Sequence, residues 1–143
     1  MIQIGCRAHD FGKKDPEALA QDIAKTGVDC VQLALSKAFS GSPTSPGVID
    51  VPAVVSAFNR HGLQIAVLGC YINPVHPDHS ERTKALARFE DHLAWAPSMG
   101  CKIVGTETGS VNPDCSYHPD TLSDTTFKQL VNSIARLVRY AER

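Results

Sequence analysis

The chain has 143 residues, 43% of them apolar and 20% charged, with a formal net charge of -1. That length suits one domain over residues 1–143 with a core of its own, and the balance excludes a disordered chain and the basic excess that would hold nucleic acid. No apolar run approaches the roughly 20 residues of a membrane span, and the first residues lack a charged stretch leading into an apolar one, so the expectation is a soluble cytoplasmic protein with neither membrane nor nucleic acid as partner.

Four apolar runs, Ile2 to Cys6, Val28 to Leu35, Leu63 to Cys70 and Cys101 to Gly105, alternate with four longer amphipathic stretches. Short apolar runs bounded by turn residues read as strands covered on both faces, so the pattern is a βα repeat. Gly27, Gly62 and Gly100 each stand directly before a run, where a helix C-terminus favours a left-handed residue. The first helix is predicted from Asp15 to about Thr26, with Asp15 as N-cap and Pro16 in its first position. Ser36 to Val48 is rich in Gly, Ser and Pro and reads as a flexible segment with a lid role. The second helix is predicted to start near Asp50, carry Val51, Val54, Val55 and Phe58 inward, and end before Gly62 with His61 facing its dipole.

The third helix is predicted to begin near Asp78, with Leu86, Phe89, Leu93 and Ala96 on one stripe. Pro97 removes a hydrogen bond from its last turn, so the helix should kink or stop there. The fourth, capped near Ser123, has the cleanest apolar pattern: Phe127, Leu130, Val131, Ile134, Leu137, Val138 and Ala141. Five cysteines, an odd number without a C-x-x-C pair, read as packing thiols rather than a disulfide framework or a zinc cluster. Four βα units make either an open parallel sheet or half of an eight-stranded barrel. After the first strand, Gly5 to Gly12 lacks both G-x-G-x-x-G and a P-loop, which weakens the nucleotide-binding open sheet.

Ligands of such folds gather at the carboxyl ends of the strands. There Ile4-Gly5-Cys6-Arg7-Ala8-His9-Asp10 follows strand one, Gly27 to Leu33 forms strand two, Leu68-Gly69-Cys70-Tyr71-Ile72-Asn73-Pro74 follows strand three, and Val104-Gly105-Thr106-Glu107-Thr108-Gly109 follows strand four. As an ordered set these segments resemble the amino-terminal half of a sugar phosphate isomerase/epimerase of the xylose-isomerase-like superfamily, which also includes the endonuclease IV type of abasic-site nuclease. The resemblance implies an α/β fold, the parallel (β/α)4 half of a TIM barrel in strand order 1-2-3-4, completed by another chain or by a carboxyl-terminal half. It also implies a divalent metal (manganese, cobalt, magnesium or zinc), with its principal ligands at the ends of strands five to eight. The substrate it implies is a sugar or sugar phosphate, on which a carboxylate moves a proton beside the carbonyl.

Glu107 is the candidate catalytic group, against the plain alternative of a solvated loop carboxylate. His9, Arg7, Tyr71 and Asn73 are candidates for holding substrate: imidazole for hydroxyls, guanidinium for a phosphate, and an aromatic wall with an amide for a sugar. Asp10 is placed to orient His9. His76 and His79 form H-x-x-H, a spacing that pairs imidazoles only within a helix, and His92 reads as surface or packing. Two other functions remain open: a non-catalytic half-barrel that associates with itself or a partner through unpaired strand edges, and an abasic-site nuclease, which the net charge disfavours.

Overall fold

Side-chain caps set where the helices begin. The Asp15 carboxylate accepts from the Ala18 N–H at 3.0 Å, that of Asp50 from Ala53 at 3.0 Å, and that of Asp78 from Ser80 and Glu81 at 2.7 and 3.0 Å. The Ser123 hydroxyl accepts from Thr126 at 3.2 Å. Each satisfies a donor that the first helical turn leaves without an intrahelical partner.

The computed structural model describes residues 2–40 and 49–143. In chain order these form β1 (Gly5–Arg7), a 3-10 turn (Ala8–Phe11), α1 (Pro16–Ala24), β2 (Cys30–Leu33) and the short α2 (Leu35–Ala38). Then come α3 (Val51–Arg60), β3 (Gln64–Gly69), α4 (His79–Trp95), β4 (Val104–Gly105) and α5 (Asp124–Ala141). Gly27, Gly62 and Gly100 take φ of 77, 71 and 66°, the left-handed backbone that closes three of the helices. The α4 helix stops at Trp95, and Pro97 lies in a 3-10 turn over Ala96–Met99, because proline cannot supply the next α-helical N–H.

The four strands are parallel in the order β1-β2-β3-β4, with Gly5 opposite Cys30, Arg7 opposite Gln32, and Leu68 and Gly69 opposite Val104 and Gly105. This is an α/β fold with the strand order of half a TIM barrel. A register shift between Val31 and Gln32 lets β3 carry one extra residue against β2. The strands are shorter than the apolar runs. Ile2 and Ile4 lie 90% and 67% exposed ahead of β1, where the Ile4 N–H is held by the Asp29 carboxylate at 3.0 Å instead of a ladder bond. Part of the segment expected to be irregular is ordered: Ala38 is buried in α2, and the buried Phe39 bridges Lys14. The rest of the expected lid, 41–48, lies outside the described residues.

The described chain divides into two compact units, Met1–Cys70 with Trp95–Gly105 and Tyr71–Ala94 with Thr106–Arg143. The first holds the whole sheet. One face of it, through Val31, Leu33, Ile65 and Leu68, packs on Leu19 and Ile23 of α1 and Val54 and Phe58 of α3. Glu17 of α1 also meets the Arg60 guanidinium and the His61 imidazole at the end of α3, at 2.5 and 2.9 Å. In the second unit α4 buries Leu86, Phe89 and His92, while α5 buries Thr126, Ser133 and Leu137. Of the predicted apolar pattern on α5, Phe127, Val131, Ile134 and Val138 face solvent. No described helix is long and apolar enough to cross a membrane.

Candidate functional site

Gly69 and Gly105 end their strands opposite one another, and Tyr71 and Glu107 each follow two residues later. In the second unit both line one cleft of about 580 Å³, together with Asn73, His76, Lys84 and Arg88. Its floor is fixed by side chains that bond main chain. The Thr106 hydroxyl accepts from the Ile72 N–H at 3.1 Å, and the Arg88 guanidinium donates to the Tyr71 carbonyl at 3.0 Å.

Asn73 carries the larger share of that work. Its amide nitrogen donates to the carbonyls of Ser110 and Asn112 at 2.7 and 3.2 Å, and its amide oxygen accepts from the N–H groups of Ser110 and Val75 at 3.1 and 3.2 Å. Those four bonds fill the capacity of a primary amide. Asn73 is thus buried and spent on holding the loop after β4 to the loop after β3, with Glu107 inside the pinned stretch. Gly109 completes the join: a Cβ there would fall 2.3 Å from the Asn73 amide oxygen.

Beyond the pin the chain is cross-linked within itself. The Ser110 hydroxyl donates to the Ser116 carbonyl at 2.7 Å, and the Asn112 amide reaches the Ser116 hydroxyl and the Tyr117 carbonyl, both at 3.0 Å. Cys115, also on the cleft wall, holds φ at 62°, unusual for a residue with a Cβ. Partial burial, then the charges of Glu107 and Asp114, push its thiol above the ordinary value.

The cleft mixes both signs of charge. Lys84 is paired with Glu81 at 2.8 Å, which holds its ammonium above the ordinary lysine pKa, while Arg88 stands on the same helix one turn further on. Sequence reasoning missed Lys84, Arg88 and Cys115. The first two were findable, because Glu81, Lys84, Ala85 and Arg88 recur at helical spacing on the face away from Leu86 and Phe89. Cys115 sits in an Asn-Pro-Asp-Cys-Ser turn that carries no such signal.

Arg7 and His9 belong to the first unit, on and just after β1. The Arg7 guanidinium pairs with Asp10 at 3.0 Å, so Asp10 serves the arginine fork. Burial, then the positive charges of Lys37 and Arg7, pull the His9 imidazole below its usual pKa against an opposing pull from Asp10. His76 and His79 do not act as a pair. His76 lines the cleft with its Nδ1 accepting the Asp78 N–H at 3.1 Å, whereas His79 opens α4 and lines a different groove.

Among the described residues no group of three or more His, Cys, Asp or Glu side chains comes together to hold a metal ion. Of the side chains on the cleft that could ligate, His76, Glu81, Glu107 and Cys115, no three come together, and Glu81 is paired with Lys84, so the set does not fit a divalent cation.

Residues 20–143 match the family described as xylose isomerase-like TIM barrel. The chain belongs to that family. Among solved structures, the family fold recurs in a D-psicose 3-epimerase of Clostridium cellulolyticum, with TM-score 0.72, 16% identity, and 99% of this chain against 49% of that one. A 3-keto-D-glucoside 4-epimerase of E. coli gives 0.72 and 18%, with 100% and 53% coverage. An L-ribulose 3-epimerase gives 0.67 and 12%, with 99% and 46%. The chain spans about half the length of these structures. No curated protein sequence matches it.

Proposed function

We propose that the chain forms the substrate-holding part of a sugar or sugar-phosphate isomerase or epimerase, with Glu107 as the carboxylate that moves a proton beside the sugar carbonyl. The observation that carries this reading is the meeting of Tyr71 and Glu107, each two residues past a paired strand-end glycine, in one cleft with Lys84 and Arg88. The Tyr71 ring offers an apolar wall to the C–H face of a sugar, and the two cations offer donors to its oxygens or to a phosphate. Glu107 takes the proton from the carbon next to the carbonyl, and the electron pair moves onto the carbonyl oxygen. Lys84 and Arg88 stabilise the charge that develops there. Delivery of the proton to the former carbonyl carbon, with the hydroxyl proton passing to the former carbonyl oxygen, gives the isomer. The epimer needs a proton delivered to the opposite face of the same carbon by a second acid or by solvent, while Glu107 keeps the one it took. Asn73 and Thr106 act as positioning residues. The metal that the resemblance implies finds no fitting donor set among the described residues of this cleft.

Deuterium uptake from solvent beside the carbonyl of a ketose panel, followed by NMR with manganese, cobalt or magnesium present, tests the proposal. Exchange that falls about 100-fold or more in Glu107→Gln is the expected result. Absence of exchange with every ketose and metal overturns it. A second reading, a half-barrel acting by association, draws on the exposed Phe127, Val131, Ile134 and Val138 of α5. A cytoplasmic location fits either reading.

A further inference from the structure

The second unit holds another concavity, a groove of about 480 Å³ between α4 and α5 that shares no residue with the Tyr71 and Glu107 cleft. Arg82, Lys128, Arg136 and His79 line it among hydroxyls and amides such as Thr125 and Asn132, and no carboxylate does. Arg136 is compensated from outside the groove by a two-pronged pair with Glu90, at 2.7 and 2.9 Å. Arg82 is anchored differently: it donates to the His76 carbonyl, which orients the guanidinium without neutralising it. Lys128 has no ion-pair partner among the described residues. By contrast Arg7, Lys14, Lys25, Arg60 and Lys84 each meet a carboxylate. Two uncompensated cations facing a concavity lined with neutral donors make a site for an anion.

We propose that this groove binds the phosphoryl group of a small phosphorylated molecule. Arginine offers a fork of donors that matches phosphate oxygens, lysine offers a point charge, and Thr125, Gln129 and Asn132 supply neutral hydrogen bonds. The volume falls in the range of small-molecule sites, roughly 300 to 1,000 Å³, so the phosphoryl group and the carbon skeleton it is attached to both fit. The proposal is independent of the sugar chemistry assigned to the other cleft.

The test is an NMR titration of the whole chain with inorganic phosphate and methyl phosphate, with fructose as the unphosphorylated control. Both phosphates are expected to shift the backbone signals of Thr125, Gln129 and Asn132 with millimolar affinity that weakens as salt is added, and fructose is expected to leave them in place. Lys128 is exposed, so its replacement leaves the fold intact, which circular dichroism checks. Lys128→Gln should weaken phosphate binding about tenfold and Lys128→Glu should abolish it, while Lys84→Gln in the other cleft leaves it unchanged. Phosphate that leaves those three signals unmoved, or binding lost in Lys84→Gln and kept in Lys128→Gln, overturns the proposal.

Discussion

Asn73 was legible as a polar group at a strand end, but its partners were not. All four are main-chain atoms, three of them on the segment after β4, and main-chain atoms leave no mark in a sequence. The same pinning makes the residue testable. Asn73→Ala strands buried main-chain donors and acceptors, so it is expected to cost about 3 kcal/mol, read from the urea midpoint. Gly109→Ala suffers twice, from φ at 79° and from the approach of its Cβ to the Asn73 amide oxygen, and should cost about 2 kcal/mol. Because the second penalty needs the amide to be present, Gly109→Ala should cost less in the Asn73→Ala background than alone. Equal cost in both backgrounds would mean that the two residues do not meet.

Among the elements, caps and glycine stops marked α1, α3 and α5 closely, since each signal acts within a few residues of where it is written. The packed face of α5 was harder to see. Its apolar stripe is real, but the helix packs one step around, through Thr126, Ser133 and Leu137, and the Ser133 hydroxyl donates to the Pro74 carbonyl at 2.7 Å. Small polar residues at a close contact imitate a surface in any hydrophobicity reading. Leu137→Ala is therefore expected to cost about 3 kcal/mol in chemical denaturation, while Val131→Ala stays within about 0.5 kcal/mol. On α1 the governing term is charge. The Lys14 and Lys25 ammonium groups hold the Asp22 carboxyl at a pKa of about 2, below its ordinary 3.8. The unfolded chain then binds a proton at Asp22 before the folded chain does. The contribution of this carboxylate is present above about pH 4 and fades as the pH falls toward 2. Asp22→Asn should flatten that part of a thermal stability profile, and an unchanged slope would show that the ammonium groups do not govern it.

At the level of the whole molecule, the parallel order β1-β2-β3-β4 was readable because each βα unit repeats one pattern, and repetition survives weak identity. Strand length was not readable: β4 keeps only Val104 and Gly105 of the run from Cys101. A run of apolar residues reports burial or the prospect of it, whereas a strand needs a partner's hydrogen bonds. The apolar surface left over therefore has a consequence for behaviour in solution. Phe127, Val131, Ile134 and Val138 recur at the spacing of a helix-packing seam on α5 and are 64, 48, 37 and 48% exposed. A contiguous apolar stripe of that kind favours association. The chain is expected to sediment as larger species with rising concentration. Val131→Glu with Val138→Lys should shift it toward monomer while the denaturation midpoint holds, because neither residue contributes to the buried face of the helix. A wild-type chain that stays monomeric throughout the concentration range would show that the stripe drives no association, and the half-barrel reading of its function would be left with its strand edges alone.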